Sequence, residues 1–246
     1  MVAALVAGST LAPTPASAAT ADCSVQDLTP HTIPVGISLK APVVFKVDTD
    51  CPEGSVLSWY LTFDQEGATQ PYTGPILTNV YEPHPVRPIY APGGAYTWGV
   101  SGSGYAGPYQ VTINSYIGDV ADNMLLPRAT LPVSVLHRTT FGTSFNASPE
   151  PRRVGQKIKI TGQLTYANWA TATYDNLGGP VMLQFRPAGK KIYQDVKLVQ
   201  DNGSGANTTV KAAKTGSWRY HFLGDPATAT AESYSKADTV VVKPAR

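Results

Sequence analysis

The 246-residue sequence predicts an all-β protein made of two tandem antiparallel β-sandwiches. Three observations carry that prediction. Apolar and polar residues alternate in short runs bounded by Gly, Pro, Asn and Asp, which is the signature of half-buried strands. Helical periodicity is nearly absent, and 22 Gly with 21 Pro assign a large share of the chain to turns between many short strands. A weak internal repeat at an offset of about 120 residues divides the chain into halves, each long enough to bury a core.

In the first half, strands are expected near Ile37–Val47, Val56–Phe63, Ile76–Tyr81, Tyr96–Val100, Gln110–Ile117 and Thr130–Leu136. In the second they fall near Thr140–Asn146, Lys157–Leu164, Val181–Arg186, Tyr193–Val199, Thr208–Ala212, Trp218–Leu223 and Asp238–Val242. The spacing and alternation favour sandwiches over a βαβ fold. The repeat places Leu61-Thr62-Phe63 122 residues before Leu183-Gln184-Phe185, and Tyr96-Thr97-Trp98 120 residues before Gly216-Ser217-Trp218. Each half also closes on an alternating strand, Leu131–Val135 and Thr239–Val242. Trp98 and Trp218 are therefore expected in the two cores at equivalent positions. The expected organisation is a leader at 1–19, a first sandwich at 20–137 and a second at 138–246, joined near Leu136–Arg138 with almost no linker.

Residues 1–19 read as a cleavable export signal, with an apolar stretch at Val2–Val6 and an A-x-A ending at Ala16-Ser17-Ala18. No Lys or Arg precedes Lys40, so Met1 is expected to lie inside a longer signal peptide. No later segment reaches the roughly 20 apolar residues of a membrane helix. Cys23 and Cys51 are the two cysteines, and an even pair in an exported chain is expected to form a disulfide. The expected setting is secreted or extracellular, with association to a cell wall as one version of it.

Charge is divided unevenly. Residues 20–137 carry ten Asp/Glu against four Lys/Arg, and residues 138–246 carry seven against fifteen. Two consequences are open: electrostatic attraction between the halves, or an anionic partner such as a cell-wall polymer for the basic half.

The second half carries a resemblance. Phe145-Asn146-Ala147-Ser148-Pro149, Val154-Gly155, Lys157–Leu164, Asn168-Trp169, Tyr174, Val181–Pro187, Gly216–Arg219 and Asp238–Val242 together resemble an immunoglobulin-like domain of actinobacterial secreted proteins. The likeness covers residues 140–244, and the first half shares it only through the internal repeat. It implies an immunoglobulin-like sandwich in an extracellular setting, and it carries over no catalytic residue.

Residues suited to chemistry are scattered. Gly99-Val100-Ser101-Gly102-Ser103 lacks the final glycine and the strand-to-helix turn of a nucleophile elbow, so it reads as a flexible loop. His31, His84, His137 and His221 show no short metal-ligand spacing. The acidic turns Asp48/Asp50 and Asp119/Asp122 offer oxygen for calcium but match no EF-hand, and Asp is common in turns for local hydrogen bonding. No metal, cofactor or nucleic-acid partner is expected.

Aromatic residues give the clearest functional hint. Tyr166, Trp169 and Tyr174 fall between predicted strands, in a long loop ending at Gly178-Gly179-Pro180, where flat rings with polar edges suit stacking on sugars. The competing possibility is that Trp169 folds back onto one end of the sandwich. A secreted, non-catalytic binding or structural protein is expected, with carbohydrate or cell wall as the most concrete ligand. The alternative is a secreted enzyme or enzyme inhibitor acting through sandwich-end loops.

Overall fold

The computed structural model describes residues 23–43, 45–51, 57–65, 89–90, 96–99, 106–117, 124–125 and 127–245. The predicted leader at 1–19 and the predicted strand Ile76–Tyr81 lie outside the described residues. Among the described residues the chain is all β, apart from a single 3-10 turn at Pro226–Thr228.

The first half contains β1 (Val25–Thr29), β2 (Thr32–Val35), β3 (Lys40–Val43), β4 (Lys46–Thr49), β5 (Leu57–Gln65), β6 (Ile89–Tyr90), β7 (Tyr96–Gly99), β8 (Gly107–Ile117), β9 (Met124–Leu125) and β10 (Ala129–His137). One layer is β1-β4-β6 with β3-β7, and the other is β2-β10-β8-β5 with β9 beside β8. Period-two alternation turns Val133 and Val135 of β10, and Tyr109, Val111 and Ile113 of β8, onto Leu28, Phe45 and Val47 of the facing layer. Proline lacks an N–H, and Pro30 separates β1 from β2 where the chain changes layers. β1 pairs antiparallel with β4, whereas β2 pairs parallel with β10.

The second half contains β11 (Thr139–Thr140), β12 (Asn146–Ser148), β13 (Arg152–Arg153), β14 (Lys157–Gly162), β15 (Thr165–Asn168), β16 (Thr173–Asn176), β17 (Gly179–Pro187), β18 (Gln194–Asp201), β19 (Ala206–Lys211), β20 (Gly216–Phe222), β21 (Ser233–Tyr234), β22 (Asp238–Val240) and β23 (Val242–Lys243). β12-β14-β19 forms one layer, and β18-β17-β20 with β21 and β22 forms the other. The Ala147 amide of β12 donates across to the Asp238 carboxylate of β22, and ladder pairing joins the two layers at the corner pair Asp201↔Ala206. Asp201 is fully buried there, and its carboxylate accepts from the Gly203, Gly205 and Leu164 amides, which ties the β18–β19 hairpin to the end of β14. Between the layers lies Tyr220, whose hydroxyl donates to the Ala206 carbonyl. Burial, and after it the Asp201 charge, pushes its phenol far above the ordinary tyrosine range. A Cβ at Gly162 would sit 2.9 Å from the Tyr220 ring, so glycine there permits the close approach.

Both halves have the immunoglobulin arrangement of two sheets that exchange strands, with the first strand split by proline and its second part parallel to the last strand. In the second half Pro149 and Pro151 occupy the split, and β13 pairs parallel with β23. Strand order revises one expected equivalence. Trp98 lies on β7, which pairs with β3, whereas Trp218 lies on β20, which pairs with β17. In the shared register Leu61 faces Ile113 and Leu183 faces Tyr220, so the counterpart of Trp218 is Val111. Trp218 is buried as expected; the side chain of Trp98 lies outside the described residues.

Three expected strands are broken, among them Asp238–Val242, which divides into β22 and β23 at Val241. Ile37–Val47 divides into β3 and β4, which pair with different partners. Thr140–Asn146 divides into β11 and β12 around a turn in which Gly142 has φ +53 and the Ser144 amide donates to the Phe141 carbonyl. The expected long loop from 165 to 178 is the hairpin β15–β16.

Cys23 and Cys51 form the disulfide, with Cα atoms 4.7 Å apart, and it joins the end of the β1–β4 pair within one layer. Asp50 beside it accepts hydrogen bonds from the Ser24 amide and the Gln26 side chain, a structural use of one acidic turn considered for calcium. The two sulfurs near Asp50 are committed to each other, so they are not thiolate ligands.

Candidate binding face and the joint between the sandwiches

The β15–β16 hairpin forms a joint with the first half. Trp169 is only 3% exposed, packs in the core of the first sandwich, and donates its indole N–H to the Val35 carbonyl at 3.1 Å. Its ring lies 4.0 Å from that of His137, which meets Tyr166 edge-on at 5.7 Å. Trp169 is therefore removed from solvent, and the open three-ring surface expected of this segment does not form. Tyr166 is half-buried, while Tyr174 is 38% exposed with its hydroxyl close to Gly36. No such placement was legible in the sequence, because Trp169 lies about 30 residues past Leu136–Arg138 and the β15–β16 hairpin carries it back to the boundary, where its buried indole fixes two sandwiches that share almost no linker.

His137 is held from three sides. Its amide donates to the Ala229 carbonyl, its carbonyl accepts from the Ala231 amide, and its Nδ1 lies 2.8 Å from the Ala167 carbonyl. Burial lowers its pKa from the ordinary histidine value, opposed by the hydrogen bond to Ala167. The neutral ring, with a proton on Nδ1 to donate, suits this position.

A cleft of about 610 Å³ lies between Pro34, Pro108 and Leu136 on one side and the 223–232 segment on the other. Its titratable lining residues are Asp225 and Glu232. The Asp225 carboxylate already accepts from the Ala227 amide and the Thr228 hydroxyl.

A more organised surface covers the outer face of the β18-β17-β20-β21 sheet. Alternation sends Met182, Gln184 and Arg186 outward from β17, and Arg219 and His221 outward from β20. Register aligns Leu198, Met182, His221 and Tyr234 in one cross-strand row, and Asp195, Gln184 and Arg219 in the next. Arg219 is fixed at the centre: its Nε donates to Gln184 Oε1 at 2.8 Å, and Gln184 donates in turn to Asp195. The guanidinium lies 4.0 Å from the centroid of Tyr193 and 4.2 Å from that of Tyr234, while Arg186 lies 4.7 Å from the Tyr193 centroid. These contacts hold the cations on ring faces and leave most guanidinium N–H groups available to a ligand.

The edge of the face is also ordered. Tyr234 stacks on His221 at 4.1 Å and donates its hydroxyl to Glu232, which also lies 2.7 Å from His221 Nε2. The tyrosine hydrogen bond, followed by that of His221, holds the Glu232 carboxyl below its ordinary pKa. Tyr234 is shifted upward by the same hydrogen bond and by burial. Around this polar centre Leu198 is 60% exposed and Tyr234 46% exposed, so the face combines accessible apolar surface with fixed cations. Sequence reasoning did not single out Tyr193, Arg219 or Tyr234. The available signal was the outward period-two set Gln184/Arg186 and Arg219/His221.

No family model and no curated protein matches the chain. Among solved structures, a chimeric titin Z1Z2 carrying a KLER peptide from decorin is 12% identical, with 92% of this chain and 98% of that one covered and a TM-score of 0.26. The FN1–FN3 domains of chicken CNTN1 are 10% identical over 86% of this chain and 67% of that one, with a TM-score of 0.30. Escherichia coli alpha-2-macroglobulin is 12% identical over 88% and 22%, with a TM-score of 0.28. Such distant likenesses carry no functional information; strand order and register are what define the fold.

Proposed function

We propose that this chain is an exported, non-catalytic binding protein of the kind found among actinobacterial secreted proteins, and that it holds a cell-surface glycan on the outer face of β18-β17-β20-β21. The observation that carries this reading is Arg219, fixed by Gln184 between Tyr193 and Tyr234 on an open sheet. A sugar ring places its C–H face on an aromatic ring or on Leu198, while guanidinium N–H groups donate to its hydroxyl or carboxylate oxygens. A rigid sheet supplies both sets of contacts at little ordering cost. Two rings contribute about 1 kcal/mol each, so single-site binding is weak and useful retention comes from repeated contact along a polymer. Tyr174 at the joint adds one further ring to this reading.

The test compares wild type with Tyr234→Ala and Arg219→Ala for retention on purified cell wall and insoluble polysaccharides. Equal melting temperatures and roughly tenfold weaker retention of both variants are expected, combining a lost ring with a lost charged hydrogen-bond donor. Unchanged retention rejects the face as the contact. Release of soluble sugar by the wild type would support the enzyme alternative instead.

A further inference from the structure

We propose that the end of the second sandwich remote from the joint is a separate docking site for a linear anionic polysaccharide. Four connections distant in sequence meet there. Pro187 pairs with Gly216 and the Ala188 amide donates to the Thr215 carbonyl, which sets the turn carrying Lys190 and Lys191 beside the turn carrying Lys214. Thr215 Oγ1 accepts from the Val242 amide and draws in β23, where Lys243 pairs directly with Arg153. The Gly155 amide donates to the Ala212 carbonyl, and in the adjoining pair Lys157 faces Lys211 across β14–β19.

The charge arrangement points to an anionic occupant. Like charges directly opposite one another in a sheet are destabilising, and this end contains two such pairs, Arg153/Lys243 and Lys157/Lys211. Among the described residues none of these cations has a carboxylate within ion-pair distance. All six lysines are exposed. Four of the seven carboxylates of this half lie away from these cations: Asp175 on the joint hairpin, Asp201 at the β18–β19 corner, and Asp225 and Glu232 on the segment contacting His137. Glu150, Asp195 and Asp238 lie nearer to them. Several separated cations match a ligand with repeated anionic groups better than a single small anion. Lysine ammonium groups are point charges and need no fixed geometry, which suits a hydrated, flexible chain. Among the described residues at this end the exposed large apolar side chains are Val154, Ile192 and Val241, and none of them is an aromatic ring that could stack on a nucleic-acid base. Residues 20–137, rich in Asp and Glu, repel the same polymer, so it is held at the far end with the first sandwich directed away.

The test uses the full chain and immobilised polygalacturonate, with neutral dextran as control, over a series of salt concentrations. Lys191→Glu/Lys214→Glu is compared with Arg128→Glu/Lys236→Glu, which changes net charge equally at exposed positions away from this end. Wild type is expected to bind polygalacturonate with strong salt dependence and to ignore dextran. The first variant should bind about tenfold more weakly and with a shallower salt slope, and the second within about twofold of wild type. Equal losses in both variants would reduce the effect to net charge and overturn the site, as would absence of wild-type binding. Preferential binding of double-stranded DNA at matched charge concentration would overturn the polysaccharide assignment. Neither variant alters the sheet face, so failure here leaves the proposed function standing, and failure of the face leaves this site standing.

Discussion

Over the described strands that correspond, the two halves share one strand order but stabilise it differently. In the first, a disulfide joins β1 to β4 within a single layer, and among the described residues aliphatic side chains pack between the layers around Phe45 and Tyr109. In the second, cysteine is absent and an aromatic group fills the space between layers, with Tyr220 contacting Phe141 at 5.9 Å and Phe145 at 5.2 Å. The difference shows that this topology does not prescribe its own reinforcement. A covalent link restricts the unfolded chain, whereas Tyr220 acts by filling native volume, and the two respond to different perturbations.

Tyr220→Ala should give the largest effect. Removing a fully buried ring that also satisfies the Ala206 carbonyl is expected to cost about 3–5 kcal/mol. Calorimetry should show the loss in unfolding of the second half, with the first half nearly unchanged; equal loss in both would mean that the cores are not separate. Next, replacing Cys23 and Cys51 together by Ala removes a crosslink of sequence separation 28, expected to stabilise the first half by about 3.5 kcal/mol. Its unfolding transition should fall while that of the second half stays in place, and reduction should reproduce the effect. A variant that lowers both transitions together would instead indicate one cooperative unit.

The distribution of what was legible follows the same contrast. Long alternating strands such as β8, β10, β14 and β17 announce themselves because one face is buried and the other solvated. β1 and β2 were missed because Pro30 and Pro34 argue against a regular strand, although their pairing lies where proline is tolerated. The better repeat signal was Val35-Gly36 against Val154-Gly155, with Pro30 and Pro149 preceding them at the same offset. The two tryptophans were expected at equivalent positions but lie on unlike strands, because a shared residue type at a similar offset carries no register. The Arg219 face was hidden for another reason: its rings come from β21 and from the turn before β18, and only pairing brings them over β20. The polarised charge of the second half showed in composition, but its concentration at one end required the fold.

A smaller effect distinguishes the joint from both cores. The folded-state pKa of His137 lies below the ordinary 6.5, so the native state disfavours its proton. The associated stability is fully present above about pH 6.5 and is lost as pH falls through the lower folded value. Melting temperatures at pH 7.5 and 5.0 should show this decline, and His137→Asn should shrink it because asparagine does not titrate. An identical decline in the variant would assign the effect to other groups.

The central claim is that one topology is used twice and that the second copy is fastened to the first by Trp169. The most direct test is hydrogen exchange of the Trp169 indole N–H in ¹⁵N-tryptophan-labelled protein, assigned with Trp169→Phe. An indole donating to the Val35 carbonyl at 3.1 Å and 3% exposed should exchange slowly, at a rate comparable with buried strand amides. Exchange at the rate of a free indole would show that the ring faces solvent and would contradict the joint.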